Sequence, residues 1–484
     1  MKLKNILLAA TVCFAFSACE SQLEIKPIST ISNSNYWKSS SDVQGYLNGL
    51  YNNYRSLTST TLYGEDRGDA MQEGFIGGVT RSLVHMLNEE YGLNWLSFYT
   101  NLHHCNMIIK YAPGIAFSDK KEQNRIIAQA YALRARDYLT LLQMWGEVPL
   151  VLEPTESFDK GNKPARKSKD EVMAQIISDI NTAISLFPEK SIPNKNKVSY
   201  PAAQMIKAEA LAWNYTVLHS NNSQDLTDAI AALTEVEQSG VSMMENYAEV
   251  FDVSHRKNSE IIFSLYVLKD EFNNMYMSTL SMAATAGLIG GCANADEIPY
   301  SNSTVARHVY APSDALKSLF ETKDTRRGAV WVDGVDANGK VLFTSQNKFR
   351  GTKYELDRYY DNDIVIYRLA DAHLLKAELL CYLGGANVNS AIDEMRPTRT
   401  RAGLGAYTGS SDQKTVQKEI LNERGRELCF ELKRWPDLMR AHAAGTIDLY
   451  DYVPNLKGKS CPLYFPILKS MMDQNENLEQ TEGY

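Results

Sequence analysis

The stretch that decides the fold is residues 415–440, TVQKEILNERGRELCFELKRWPDLMR. Its apolar residues recur at spacings of three and four, so they form one stripe along a helix. That stripe comprises Val416, Ile420, Leu428, Leu432 and Trp435. Arg424, Glu427 and Glu431 lie on the stripe or at its edge, where an unpaired charge would be costly to desolvate. The pattern predicts one long helix, ended or kinked at Pro436, with charges paired to another helix; a solvated charged face is the alternative.

Helical periodicity also dominates residues 94–240 and 363–440. Residues 122–145 carry one apolar stripe with Arg134 set in it, so this arginine needs a carboxylate partner. Glu427 and Glu431 are the candidates. Paired helices of about 34 residues, with small and aromatic residues where they pack, are typical of tetratricopeptide repeats, here degenerate. The sequence therefore predicts a mostly α-helical fold in which such repeats stack into a scaffold.

The start of the chain has the pattern of a lipoprotein signal peptide over residues 1–18. Two lysines precede an apolar run that is too short to span a bilayer, and small residues lead directly to Cys19. Cleavage there would leave Cys19 as a lipid-modified amino terminus that anchors the protein to a membrane. The alternative is an ordinary cleaved signal peptide. Residues 19–30 are predicted to be an extended tether, and residues 31–484 a single domain.

Composition and motifs narrow the function further. The net charge of −8 and the lack of a basic run argue against a nucleic-acid partner. The cysteines beyond residue 19 are scattered and form no CxxC pair, so the sequence suggests neither a metal site nor a disulfide framework. No short catalytic motif and no cofactor-binding motif was found, although many hydrolases lack such motifs.

Two stretches, residues 58–92 and 269–360, lack the helical periodicity. Both are longer than the loops that usually connect secondary-structure elements in a compact domain. We expect them to form an irregular lobe with short strands that carries the binding site. The candidate ligand contacts are Trp331, Tyr63, Asp66, Arg67, Phe75, Arg81, Tyr300, Asn302 and Tyr310. Trp331 is the first candidate for a stacking contact, because it has the largest ring. The sequence VWVDG around it is expected to form a strand and turn that expose this ring. The alternative is that these rings pack the lobe's own core.

Several motifs resemble the SusD/RagB-like lipoproteins. Residues 422–440 follow the pattern N-E-R-x-R-E-L-x-F-E-x-x-R-W-x-D-L-x-R, with Pro436 as a departure. Residues 145–150 read W-G-x-V-P-L, and residues 475–484 read N-x-x-L-x-Q-x-x-G-Y. Further matches in chain order extend the resemblance over essentially the whole mature chain, but it supplies no residue-level motif in the lobe.

The resemblance implies a SusD-like fold and a nutrient-binding protein that acts without changing its ligand chemically. We therefore expect no enzymatic activity, and the sequence assigns no cofactor and no metal ligand. Such a protein would be lipid-anchored in the outer membrane, facing outward. It would capture an oligosaccharide and deliver it to a SusC-like TonB-dependent transporter. Peptide import by the same arrangement, a lipid-anchored glycoside hydrolase and a scaffold that binds only protein are the alternatives.

Overall fold

The computed structural model describes residues 36–76, 78–156, 163–220, 222–272, 274–303 and 306–484. The predicted signal peptide, the predicted tether and Cys19 lie outside the described residues. Within the described ranges, every helix is too short or too polar to cross a lipid bilayer.

Helices dominate this part of the chain. In chain order they are α1 Ser40–Thr58, α2 Leu96–Tyr111, α3 Lys120–Trp145, α4 Lys169–Leu186, α5 Tyr200–Thr216, α6 Ser223–Glu237, α7 Met275–Thr279, α8 Asp314–Ser318, α9 Arg327–Val330, α10 Leu369–Leu383, α11 Asn387–Glu394, α12 Arg396–Arg401, α13 Gln413–Leu428, α14 Arg434–Ala443, α15 Leu449–Tyr452 and α16 Lys469–Gln474. The strands are β1 Met71–Glu73, β2 Ile261–Leu265, β3 Tyr310–Pro312, β4 Trp331–Val335, β5 Val341–Gln346, β6 Thr352–Lys353, β7 Arg358–Tyr359 and β8 Ile364–Arg368.

The long helices form a stack in which each packs on its neighbours in the chain. Helices α1 to α6 follow one another in this way, and α10 then packs on α6, α11 and α13. Local sequence signals set the helix starts: Ser39 and Ser168 each begin a capping box, at α1 and α4. The prediction of a mostly α-helical fold whose helices stack into a scaffold is confirmed.

The strands form only antiparallel pairs, namely β1 with β3, β2 with β8, β4 with β5, and β6 with β7. Around them, the irregular lobe has a hydrophobic core separate from that of the helical stack. Trp331, Phe320, Phe349 and Phe430 belong to this second core. The lobe is therefore a packed unit with its own apolar interior.

Residues 415–440 do not form the single long helix that the periodicity predicts. Helix α13 ends before Phe430 and Leu432, whose φ angles are 64° and 61°, and α14 begins after them. Pro436 lies in the first turn of α14, where proline is tolerated. The break is held by tertiary contacts: the Trp435 amide donates to the Gly64 carbonyl at 2.8 Å, and a Cβ on Gly64 would lie 2.3 Å from the Leu432 carbonyl oxygen.

The predicted pairing of Arg134 with Glu427 or Glu431 is wrong. Its Nε and Nη2 donate to the two carboxylate oxygens of Asp179 on α4, both at 2.7 Å, and its Nη1 donates to Asn106 at 2.8 Å. The physical reason is that α3 turns this face toward α2 and α4. Arg134 therefore fastens neighbouring helices of the stack.

The charges of α13 and the segment after it instead contact arginines from other elements. Arg368, at the end of β8, donates to Glu427 at 2.6 Å and to both carboxylate oxygens of Glu431 at 2.7 Å. Arg326 donates to Glu427 at 2.9 Å, and Arg424 donates to Asp437 at 2.8 Å. All of these groups are buried. The network joins the scaffold to the lobe.

Candidate ligand-binding groove

The structure places most of the sequence-predicted ligand contacts inside the protein. Trp331 is only 8% exposed and packs edge to face on Phe320, with ring centroids 5.1 Å apart. The predicted exposure of Trp331 is wrong, because β4 directs its ring into the core of the lobe. Tyr310 is buried too, and its hydroxyl donates to Asp66 at 3.3 Å.

Asp66, Arg67 and Tyr63 are also engaged internally. Burial raises the pKa of Asp66 to about 7. The Arg67 guanidinium donates to the carbonyl of Leu463 at 2.5 Å and lies over the Trp435 ring, so it holds the carboxy-terminal segment. Tyr63 is half-buried against Phe98. These side chains are structural in this conformation.

The remaining predicted contacts lie at the surface. Phe75 is 54% exposed, and Arg81 is exposed with its guanidinium 3.6 Å from the centroid of the Tyr91 ring. Tyr300 and Asn302 line a small cleft beside the β6–β7 hairpin. Four of the predicted residues therefore stay accessible, wholly or in part.

A candidate ligand-binding surface is a groove where the lobe meets α1, which we call the Glu271 groove. It consists of two adjoining hollows, of about 290 Å³ and about 240 Å³, that share Glu271. The first is lined by Lys269, Asp270, Glu271, Phe272, Asn274, Tyr359, Tyr360 and Asp361. The second is lined by Asn48, Tyr51, Asn52, Arg55, Asn196, Lys197, Leu265, Tyr266 and Glu271.

Arg55 of α1 organises the centre of this groove. Its Nη2 donates to Glu271 at 3.0 Å and to Asn52 at 2.6 Å, while Nη1 donates to the Tyr266 carbonyl at 2.8 Å. The same guanidinium lies over the Phe272 ring, 4.6 Å from its centroid. Because Arg55 is buried and both of its terminal nitrogens donate hydrogen bonds, the groove is preorganised where the two hollows meet.

Aromatic rings and polar groups both line the groove or lie beside it. Tyr266 is 39% exposed. Tyr354 and Tyr359 pack edge to face, and the Lys269 ammonium lies 4.7 and 4.8 Å from their ring centroids. Asp361 accepts hydrogen bonds from the Tyr354 hydroxyl at 3.0 Å and from Thr352 at 3.1 Å. Ring faces beside fixed polar groups suit a ligand with apolar faces and many hydroxyls.

Sequence reasoning located part of this groove and missed the rest. Phe272 and Tyr359 lie in the predicted lobe. Tyr266 precedes that lobe, and α1 and residues 194–197 also lie outside the stretches that were predicted to bind the ligand. One local pattern could have indicated that α1 contributes to a polar surface: Asn48 and Asn52 are four residues apart and so share a face of this helix. Their approach to Tyr266 is a tertiary contact that no local pattern encodes.

One other cluster has the geometry of a metal site. Glu237, His373 and Glu394 present ligand atoms close together where α6, α10 and α11 meet. However, the Lys376 ammonium already contacts Glu237 at 2.6 Å and Glu394 at 2.9 Å. A lysine therefore supplies the positive charge that a metal ion would bring.

Comparisons with known proteins agree with the fold. The family model described as "SusD family" matches residues 332–484, and that described as "Starch-binding associating with outer membrane" matches residues 23–209. SusD-like protein P25 of Formosa agariphila is 25% identical, covering 91% of this chain and 90% of that protein. The starch-binding protein SusD of Bacteroides thetaiotaomicron is 32% identical over 131 residues, 26% of this chain and 22% of that protein.

Among solved structures, NanU of B. fragilis superposes with a TM-score of 0.80 at 28% identity, covering 95% of this chain and all of that one. The two family models match separate parts of the chain that together make up most of its length. This protein therefore belongs to the SusD/RagB-like family.

Proposed function

We propose that this protein binds oligosaccharides in the Glu271 groove and passes them on without chemical change. The observation that carries the proposal is that accessible rings, amides and charges line one groove, as Tyr266, Asn52 and Glu271 do. A matching family model and a partial relative are both described as starch-binding, which supports a glycan as the ligand. The combined volume of the two hollows, of about 290 Å³ and about 240 Å³, is in the range usual for small-molecule sites.

We further propose that the protein is lipid-anchored through Cys19 at the outer membrane, facing outward, and that its partner is a SusC-like TonB-dependent transporter. The lipoprotein-like end of the leader supports the anchor, and the description of the matching family model supports the membrane. Cys19→Ser should release the protein from the membrane fraction. Retention of this variant would contradict the anchor. Co-purification of the wild-type protein with a β-barrel transporter would test the partner.

Incubation of the purified protein with a panel of glycans and peptides tests the binding function. Retention of intact oligosaccharide, weakened by Tyr266→Ala, is the expected result. Appearance of shortened products would indicate a glycoside hydrolase instead. Retention of peptides alone would indicate peptide import, and retention of neither would leave a scaffold that binds only protein.

A further inference from the structure

Lys197 stands out among the charged groups of the Glu271 groove. Its ammonium bonds the Asn48 side-chain oxygen at 2.9 Å and lies 3.9 Å from the centroid of the Tyr51 ring. Among the residues that the structure describes, none pairs a carboxylate with it. An ammonium has three hydrogen-bond donors, so two remain for a ligand.

Among the described residues, the two buried lysines contact acids, whereas Lys418, half-buried like Lys197, lies over the Tyr452 ring, 3.5 Å from its centroid. Lys348 lies 2.6 Å from Glu431, and Lys433 lies 2.9 Å from Glu209. The acid shared by both hollows, Glu271, is already engaged by Arg55 at 3.0 Å. Burial lowers the pKa of Lys197 to about 8, because desolvation makes the charged ammonium less stable than it is in water. An anionic ligand group would offset that cost.

We propose that Lys197 selects acidic glycans, by pairing its ammonium with a carboxylate or sulfate group of the bound sugar. This inference rests on the proposed glycan-binding function and names the ligand class. The second hollow suits it, because Asn48, Asn52 and Asn196 line the same hollow as the lysine and the Nδ2 groups of Asn48 and Asn52 can donate to hydroxyls of the same sugar. A charge-assisted hydrogen bond in a half-enclosed site is stronger than one between neutral groups.

The competing explanation is that Lys197 only braces α1 through Asn48 and Tyr51. A purely structural lysine would affect folding but would not favour charged ligands over uncharged ones. The two explanations therefore differ in the ratio of affinities for an acidic glycan and its neutral counterpart.

The test uses matched pairs of probes on the wild-type protein. Trisaccharides containing galacturonic or glucuronic acid are compared with their methyl esters, and sulfated trisaccharides with their desulfated forms, by calorimetry. At least one acidic member should bind about tenfold more tightly than its neutral partner. The carboxylate and sulfate pairs separate the two sources of negative charge. Equal affinities within each pair, or tighter binding of the neutral members, would overturn the inference while leaving the proposed function intact, whereas no binding at all would overturn both.

Variants then assign the preference to this residue. Lys197→Met should remove the tenfold preference for the acidic member, whereas Lys197→Arg should keep that preference. Lys340→Met, at an exposed turn of the lobe, is the matched control and should change nothing. A folded Lys197→Met protein that still prefers the acidic member would refute the assignment. If Lys197→Met failed to fold, the wild-type protein would still show whether acidic glycans are preferred, and Lys197→Arg would show whether another cation at this position keeps the preference.

Discussion

Arg368 Nη1 lies 2.6 Å from Glu427 Oε1, and neither side chain has exposed surface. Arg368 is the last residue of β8 and leads into α10, while Glu427 belongs to α13, so this contact joins separate parts of the chain. Burial by itself would raise the pKa of Glu427, but Arg401, Arg368 and Arg326 outweigh it and hold this pKa well below its usual value. The carboxylate therefore stays ionised in the interior.

Arg368→Met should strongly destabilise the protein, because it leaves Glu427 and Glu431 with fewer positive partners in a site closed to water. Removing one partner of a buried ion pair costs about 3 to 5 kcal/mol. Urea denaturation measures this loss. Lys469→Ala removes an exposed pair with Asp473 and is the control, for which the melting temperature should not change. An equally small effect of Arg368→Met would mean that the network contributes little to stability.

The sequence was informative where local periodicity governs structure and silent where distant segments meet. The stripes of α3 and α13 were recognisable because burial repeats every three or four residues. The break after α13 was not, since Phe430 and Leu432 adopt a left-handed backbone that neither residue favours intrinsically. Their conformation is imposed by contacts such as that with Gly64, which lies more than three hundred and fifty residues earlier in the chain.

Arg134 and Asp179 should be energetically coupled. A double-mutant cycle with Arg134→Ala and Asp179→Ala should give an interaction energy of about 0.5 to 3 kcal/mol, because each single change already loses the bidentate contact. A second cycle, with Arg134→Ala and Glu431→Ala, should be additive, since those two residues do not contact each other. Coupling in the second cycle and none in the first would instead support the pairing of Arg134 with Glu431 that the sequence predicted.

His373 should make the stability depend on pH. Burial would lower its pKa, but hydrogen bonds to Glu237 and Glu394 outweigh burial and raise it from 6.5 to about 9. The folded state thus binds the proton more tightly than the unfolded state. The stabilisation is complete below pH 6.5 and is lost as the pH rises toward about 9. Denaturation at several pH values should show this decline in the wild type and a smaller one in His373→Gln. Equal slopes for both proteins would contradict the assignment.

Trp331→Ala should act on folding and not directly on ligand binding. The ring is buried against Phe320 in the core of the lobe, and truncating such a residue costs about 3 to 5 kcal/mol. A clear drop in the melting temperature is the expected result. If the variant instead kept its stability and lost glycan affinity, the ring would have to be accessible in a conformation different from this one.

Substitutions of Tyr266 and Phe75 distinguish between two candidate binding surfaces. Both rings are accessible, but Tyr266 lines the Glu271 groove and Phe75 lies in the segment that the sequence singled out. Ring stacking contributes about 1 to 3 kcal/mol by alanine substitution on nucleic acid bases, a scale we carry over to sugar rings. Tyr266→Ala should therefore weaken glycan binding roughly 5- to 150-fold, and Phe75→Ala should leave it within about twofold.

Neither substitution should shift the melting temperature by more than a few degrees, because each removes a partly exposed ring. Calorimetric titration of one retained oligosaccharide into both variants and the wild type provides the comparison. A loss of affinity in Phe75→Ala together with wild-type affinity in Tyr266→Ala would move the site to the surface around Phe75.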